Sequence, residues 1–160
     1  MSCACNCESS VVIKFKATSE KAKLPKRNNE STDPNSPTGD TGYDIYGIQE
    51  TIVPAHGSAI VPTGIKVAYI TPGYWWKVES RSGLSFKHGV LCHPGIIDNQ
   101  YRGDTGVKLY NHSDKEFLVA EGERIAQLAV YKLIEPQIDW ADEVDETVRG
   151  ESGFGSSGKH

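Results

Sequence analysis

Asp98 and Tyr101 stand three residues apart in the stretch GIIDNQYRGD, residues 95–104. A turn draws on Asp, Asn and Gly because their backbones accept its geometry. It has no need of a carboxylate placed directly after two isoleucines, nor of a tyrosine and an arginine behind it. Those surplus groups point to a purpose beyond turning the chain. A second candidate stretch is RGESGFGSSGKH, residues 149–160, built mostly of Gly and Ser. That composition usually means a flexible linker, yet this one carries Arg149 and Phe154. Gly153 to Lys159 fit Gly, four residues, Gly, Lys, which is most of a P-loop. His160 stands where Ser or Thr is required. The P-loop reading therefore fails, but its physics carries over. Gly-rich backbone aims several N–H groups at phosphate, Ser156 and Ser157 add hydroxyl donors, and Arg149 offers a bidentate partner. Phe154 offers a ring to a base. The competing reading is a plain disordered tail.

Residues 81–83, RSG, repeat the theme of a guanidinium, a hydroxyl and a glycine after a predicted strand. Such triplets are common in turns, so alone this one says little. Gln127, in GERIAQ at 122–127, stands among apolar residues, either as a satisfied core amide or as a ligand contact.

Short strands must position these residues. VIKFKA at 12–17 alternates with period two and places Ile13, Phe15 and Ala17 on one face. Apolar runs then recur as ETIVPA, SAIVPTGIKVAYI, YWWKVES, TGVKLYN, EFLVAEG and RIAQLAVYKL, most of them separated by Gly, Pro, Asn or Asp. No segment has the length and period of an amphipathic helix. Many short strands at regular spacing predict an all-β sandwich or closed barrel. Residues 18–39 hold three prolines and no apolar period, which predicts a long polar loop or flexible insertion. Tyr74, Trp75 and Trp76 suit base stacking only where basic residues surround them. Only Lys77 does, so they are expected in the core or a subunit interface.

The chain has 160 residues, enough for one domain with a real core. Its net charge of -4 argues against direct nucleic-acid binding, which needs a basic excess. No apolar run approaches the roughly 20 residues of a membrane span, and the N-terminus lacks a secretory pattern. Cys3, Cys5 and Cys7 crowd together and Cys92 is the only other cysteine. A disulfide framework spreads its cysteines, so reduced thiols and an intracellular, cytoplasmic setting are expected. A zinc site would need Cys92, His93 or His88 as a further ligand. The plainer reading is a disordered leader.

The order of the stretches matters more than any one of them. TGYDI at 41–45, RSGLS at 81–85, GIIDNQYRG at 95–103, GERIAQL at 122–128 and RGESGFGSSG at 149–158 follow in series. This series resembles the five motifs of the trimeric dUTPase family, in that family's order and near its spacings, over about residues 38–158. The resemblance implies a jelly-roll β-barrel subunit with a flexible C-terminal arm, and a homotrimer whose sites draw on all three chains. It implies hydrolysis of dUTP to dUMP and pyrophosphate with Mg2+, which keeps uracil out of DNA and supplies dUMP for thymidylate synthesis. Domain bounds follow: a leader at 1–10, the barrel at 11–148 with the insertion at 18–39, and the closing arm at 149–160.

Residue roles follow from the same resemblance. Asp98 would be the general base that activates the attacking water. Tyr101 would pack on the deoxyribose and leave no room for a 2′-hydroxyl. The hairpin through Gly95, Ile96 and Ile97, with Gly106, would pair its backbone with uracil. Arg81, Ser82 and Gly83 would hold phosphates, with Gln127 adding a phosphate or water contact. Asp44 would meet Mg2+ through water, because that ion keeps much of its hydration shell. Arg149, Gly155, Ser156 and Ser157 would close on the terminal phosphate, with Phe154 on uracil. Arg102 is expected to order the turn or a subunit contact.

Three departures stand out. Ser80 replaces the usual Pro before the arginine, which is expected to loosen that turn. Cys92 replaces an Asn that contacts uracil in some members, so uracil reading falls to backbone. The insertion at 18–39 is longer than usual and has no assigned role, though a protein partner would find its natural seat there. A dCTP deaminase relative would use a Glu and lack the Phe-Gly-Ser tail. A non-catalytic regulatory module would lack the intact constellation.

Overall fold

The structure, a computed structural model, describes residues 10–29 and 39–151. Eleven strands and one short helix occur among them. They run β1 (Ile13–Ala17), β2 (Tyr43–Tyr46), β3 (Thr51–Val53), β4 (Ser58–Pro62), β5 (Ile65–Ile70), β6 (Tyr74–Glu79), α1 (Ser82–His88), β7 (Val90–Cys92), β8 (Gly95–Ile97), β9 (Gly106–Asn111), β10 (Phe117–Val119) and β11 (Arg124–Lys132). Every pairing among these strands is antiparallel. A four-stranded sheet has the order β2-β11-β6-β8, and a three-stranded sheet the order β4-β9-β7. The pairs β1-β5 and β3-β10 complete a jelly-roll-like arrangement.

Alternation in the sequence explains which face each strand buries. In β9, Val107, Leu109 and Asn111 point inward while Gly106 and Lys108 face out. In β6, Trp76 and Val78 are buried. They join Ile45, Val61, Val119 and Leu128 in one core, where each fully buried side chain of this size contributes roughly 1.5–3 kcal/mol. Trp76 lies in that core with its ring edge-on to Phe15 at 6.0 Å. Trp75, on the opposite face of β6, stacks on Tyr131 at 4.8 Å. The aromatic cluster thus divides between core and outer face, as strand periodicity demands. Buried Asn111 is fully used: its amide donates to the carbonyls of Val53 and Lys115, and its oxygen accepts from Ser113.

Two findings differ from the sequence reading. Ala17, the last residue of β1, is exposed although Ile13 and Phe15 pack on the core. Residues 82–88, which begin inside the RSG triplet weighed as a turn, form α1. Gly89 ends it in a left-handed conformation (φ 65°), its N–H bonded to the Ser85 carbonyl. Only Leu84 of α1 is buried, so its sequence carries no amphipathic period.

Residues 18–29 are a loop, as expected, but a tethered one. The Asp44 N–H donates to the Lys26 carbonyl at 2.8 Å, and the Arg27 guanidinium lies 5.0 Å from the Tyr43 ring. After β11 the chain runs from Leu133 to Glu151 without strand or helix. It carries Ile134, Ile138, Trp140, Val144 and Val148 fully toward water. No helix among the described residues is long and apolar enough to cross a membrane.

Candidate active site

Asp44 is buried on β2, with 6% of its surface exposed. Sheet register sets it opposite Gln127 of β11, and Gln127 opposite Glu79 of β6. Direct cross-strand partners share a face, so three polar side chains form a row across three strands. The chain leaving β6 turns at Ser80 and brings Arg81 back over that row. Arg81 Nε lies 2.9 Å from Asp44 Oδ1, and Arg81 Nη1 donates to the Arg124 carbonyl at 3.0 Å. Arg124 Nη1 lies 3.3 Å from Asp44 Oδ2. Each oxygen of one buried carboxylate therefore meets a guanidinium, which offsets the cost of taking that charge out of water.

Gln127 Nε2 donates to the Ser80 carbonyl at 2.9 Å. Gly42 makes this possible, since any side chain there would collide with the Gln127 amide. These groups surround a polar cleft of about 300 Å³ lined by Asp44, Arg81, Ser82, Gly83 and Gln127, with Asn28 and Asp40 at its side. A guanidinium, a hydroxyl, open backbone and an amide converge there, which is a donor set for phosphate oxygens. A larger cavity, about 610 Å³, is a separate apolar groove lined by Val12, Phe15, Leu24, Tyr43 and Val130. It holds none of the candidate catalytic or phosphate-binding side chains.

The turn at Ser80 is tied rather than loosened. The Cys92 N–H donates to Ser80 Oγ at 2.9 Å, a bond that proline has no oxygen to accept. Cys92 is buried beside it, and burial pushes the thiol pKa up while the Ser80 hydrogen bond acts the other way.

The Asp98 hairpin stands at the far edge of the same sheet. Among the described residues β8 pairs with β6 on one side only, Gly95 opposite Val78 and Ile97 opposite Trp76. Its outer backbone groups are left for another partner. The turn beyond it holds itself together. The Tyr101 N–H donates to the Asp98 carbonyl at 3.1 Å. Asn99 Nδ2 donates to the carbonyls of Thr71 and Tyr74 at 3.0 and 2.8 Å. Arg102 donates to the carbonyls of Asn99 and Tyr101, at 2.5 and 2.9 Å, so it orders the turn. Tyr101 lies over Gly103, where a side chain would collide with the ring, and its hydroxyl donates to the Asp104 carbonyl at 3.1 Å. Asp98 is exposed and lines a cavity of about 450 Å³ with Trp75, Ile96 and Lys132. Gly106 opens β9 opposite Pro62.

The described residues contain no cluster of three or more His, Cys, Asp or Glu side chains able to hold a metal. Asp44, the expected Mg2+ neighbour, has an arginine on each oxygen. This donor set does not fit a resident, protein-held ion. Of the residues weighed for zinc, Cys92 bonds to Ser80 and His93 to Tyr110, while Cys3, Cys5 and Cys7 lie outside the described residues.

A family model described as dUTPase matches residues 29–158. The chain belongs to the dUTPase family. Curated dUTPases agree along nearly the whole sequence. The mitochondrial deoxyuridine 5'-triphosphate nucleotidohydrolase of Dictyostelium discoideum is 43% identical over 146 residues, 91% of this chain and 76% of that protein. The enzyme of the same name from Candida albicans is 41% identical over 156 residues, 96% of this chain and 92% of that one. Among solved structures, a dUTPase of Staphylococcus bacteriophage 80alpha with dUpNHpp superposes with a TM-score of 0.78. It is 27% identical, over 92% of this chain and 98% of that one.

Within the dUTPase family, one chain brings Asp44, Arg81, Ser82, Gly83 and Gln127 into one cleft and leaves Asp98 on another cavity, with Tyr101 exposed on the turn beyond it. Arg149 lies on the exposed segment after β11. Phe154, Gly155, Ser156 and Ser157 lie outside the described residues. Sequence reasoning missed Gly42 and Arg124, although both stand inside quoted motifs. Their value shows only once β2 and β11 are paired.

Proposed function

We propose that the protein hydrolyses dUTP to dUMP and pyrophosphate, with Asp98 as general base. Family membership and the convergence of Arg81, Ser82, Gly83 and Gln127 on one polar cleft support this reading. A water held by the Asp98 carboxylate gives up a proton to it as its oxygen forms a bond to the α-phosphorus. The bond from that phosphorus to the bridging oxygen breaks in line, and pyrophosphate leaves with the electron pair. Arg81, the Ser82 hydroxyl and the Gly83 backbone take up charge that grows on the phosphate oxygens. Uracil pairs with the backbone of the hairpin through Gly95, Ile96 and Ile97, with Gly106 contributing. Tyr101 packs against deoxyribose.

The dUTPase family typically uses Mg2+. With both Asp44 oxygens engaged, the ion is proposed to arrive as part of the substrate, on the triphosphate. The site is proposed to form between subunits of a homotrimer. The separation of the Arg81 cleft from the Asp98 cavity favours this, as do six exposed large apolar residues after β11. The arm from 149 to 160 would close the site, Arg149, Gly155, Ser156 and Ser157 on phosphate and Phe154 on uracil. A reducing, cytoplasmic setting suits the unpaired Cys92 thiol.

The test is pyrophosphate release from dUTP, dTTP, dCTP and UTP with and without Mg2+. Strong preference for dUTP is expected, and equal rates on dTTP or UTP would overturn the reading. Sharing is tested by co-refolding Asp98→Asn with a chain truncated after Val148. Activity returns if different chains supply the base and the arm, and stays absent if each chain supplies its own.

A further inference from the structure

We propose that Arg124 is a positioning residue for phosphate binding, acting through Asp44 on Arg81. The inference rests on the phosphate reading of the cleft and adds a residue to it.

Arg81 cannot serve phosphate well if its charge is spent elsewhere. Its Nε lies 2.9 Å from Asp44 Oδ1, and its Nη1 donates to the Arg124 carbonyl at 3.0 Å. Nη2 has no protein partner among the described residues, so it is the nitrogen left for a ligand oxygen. Paired with Arg81 alone, Asp44 would make a neutral ion pair, and the guanidinium would attract phosphate weakly. Asp40 lies on the same cleft. Counting Asp40, Asp44 and Arg81, the walls would carry one net negative charge and repel a triphosphate.

The Arg124 side chain changes that balance. Its Nη1 lies 3.3 Å from Asp44 Oδ2. With it the group of four charges is neutral, and the core of Asp44, Arg81 and Arg124 carries one positive charge. The Asp44 side chain is 9% exposed while that of Arg124 is 42% exposed. Charge interactions weaken little in so sheltered a place. Arg124 thus satisfies the buried carboxylate from the solvent side, and Arg81 keeps charge to offer toward the cleft. The backbone of the same residue holds Arg81 Nη1, so one residue sets both the orientation and the effective charge of the phosphate-binding guanidinium.

The experiment measures kcat, KM and the dissociation constant of a non-hydrolysable dUTP analogue. The proteins are full-length wild type, Arg124→Met, Arg124→Lys, Asp44→Asn and the double variant Asp44→Asn with Arg124→Met. Arg124→Met is expected to raise KM and the analogue's dissociation constant by about 10- to 100-fold, the size of a charged hydrogen-bond contribution. Its kcat should stay within about threefold, since Asp98 is untouched. Arg124→Lys, which keeps the charge, should recover most of the loss. In the Asp44→Asn background no carboxylate needs an opposing charge, so adding Arg124→Met should weaken analogue binding by less than about threefold.

Equal penalties in both backgrounds would mean that Arg124 meets phosphate directly, and would overturn the proposal. So would an Arg124→Lys variant as poor as Arg124→Met. An Arg124→Met protein with unchanged KM, or one that loses kcat and thermal stability together, would also overturn it. Asp98→Asn serves as the control for the underlying reading. It should lose turnover and still bind the analogue, whatever happens at Arg124.

Discussion

The Arg81 cleft and the Asp98 hairpin stand at opposite ends of one four-stranded sheet and are built on opposite plans. The cleft is made from three strands distant in sequence. Its centre is a buried carboxylate with two arginines, and an amide held by the Ser80 carbonyl. The hairpin is made from consecutive residues and held almost wholly by its own backbone carbonyls, with Asn99 as its tether. Its carboxylate faces water. The cleft is therefore set before substrate arrives, because leaving any of its charges unpaired in a sheltered place is costly. The hairpin keeps its shape while Asp98 and the β8 edge stay open to a partner. On the proposed reading, binding strength belongs to the first region and the chemical step to the second.

The comparison breaks most sharply at Asp98. Asp98→Asn should lower kcat by about 10²–10⁴, the usual worth of a general base, with the melting temperature nearly unchanged because the side chain is exposed. A variant that retained half the wild-type rate would remove Asp98 from the mechanism.

The same substitution made in both regions sharpens the contrast. Gly42→Ala drives a methyl into the Gln127 amide and should destabilise the protein by about 1–3 kcal/mol, the usual cost of overpacking. A rise in KM for dUTP should accompany it. Gly103→Ala displaces Tyr101 on the surface instead. Its stability cost should be within about 0.5 kcal/mol, as for exposed sites, and its effect should fall on the ratio of dUTP to UTP turnover. Denaturant unfolding and substrate competition measure both. Equal stability losses at the two glycines would dissolve the distinction between a packed cleft and an open hairpin.

Ser80→Ala should cost about 1 kcal/mol, because it strands the Cys92 N–H inside the protein. Ser80→Pro, which has no side-chain oxygen either, should not restore that loss.

The smallest effect concerns Cys92. Burial raises its pKa, so at pH 8 it holds less thiolate than a free cysteine. Raising the pH restores thiolate only at values above those that ionise an exposed thiol. Mass spectrometry after brief iodoacetamide treatment at pH 8 should find Cys92 at least about tenfold slower to alkylate than in the unfolded chain. Rapid labelling of the native protein would show that the turn around Ser80 opens.

What could be read without coordinates was local or serial. Period-two alternation announced the strand at Ile13–Ala17, and short apolar runs announced those at Tyr74–Glu79 and Gly106–Asn111, since both signals are written in adjacent positions. The order of five short motifs announced the dUTPase family. The turn-ordering role of Arg102 was also within reach, because its partners Asn99 and Tyr101 are neighbours in the chain. The rest was decided in three dimensions. α1 hid because a helix with one buried residue leaves no amphipathic trace. The exposure of Ala17, the last residue of β1, depends on what packs over that end of the strand, which no feature of β1 records. The bond between Ser80 and Cys92 joins the end of β6 to β7, and it turned an expected weak point into a tie. Above all, Asp44, Arg81 and Arg124 meet across 37 to 80 residues of chain. Their charges are visible in the sequence, but ion pairing depends on distance and burial, and only the pairing of β2 with β11 and the turn after β6 sets those.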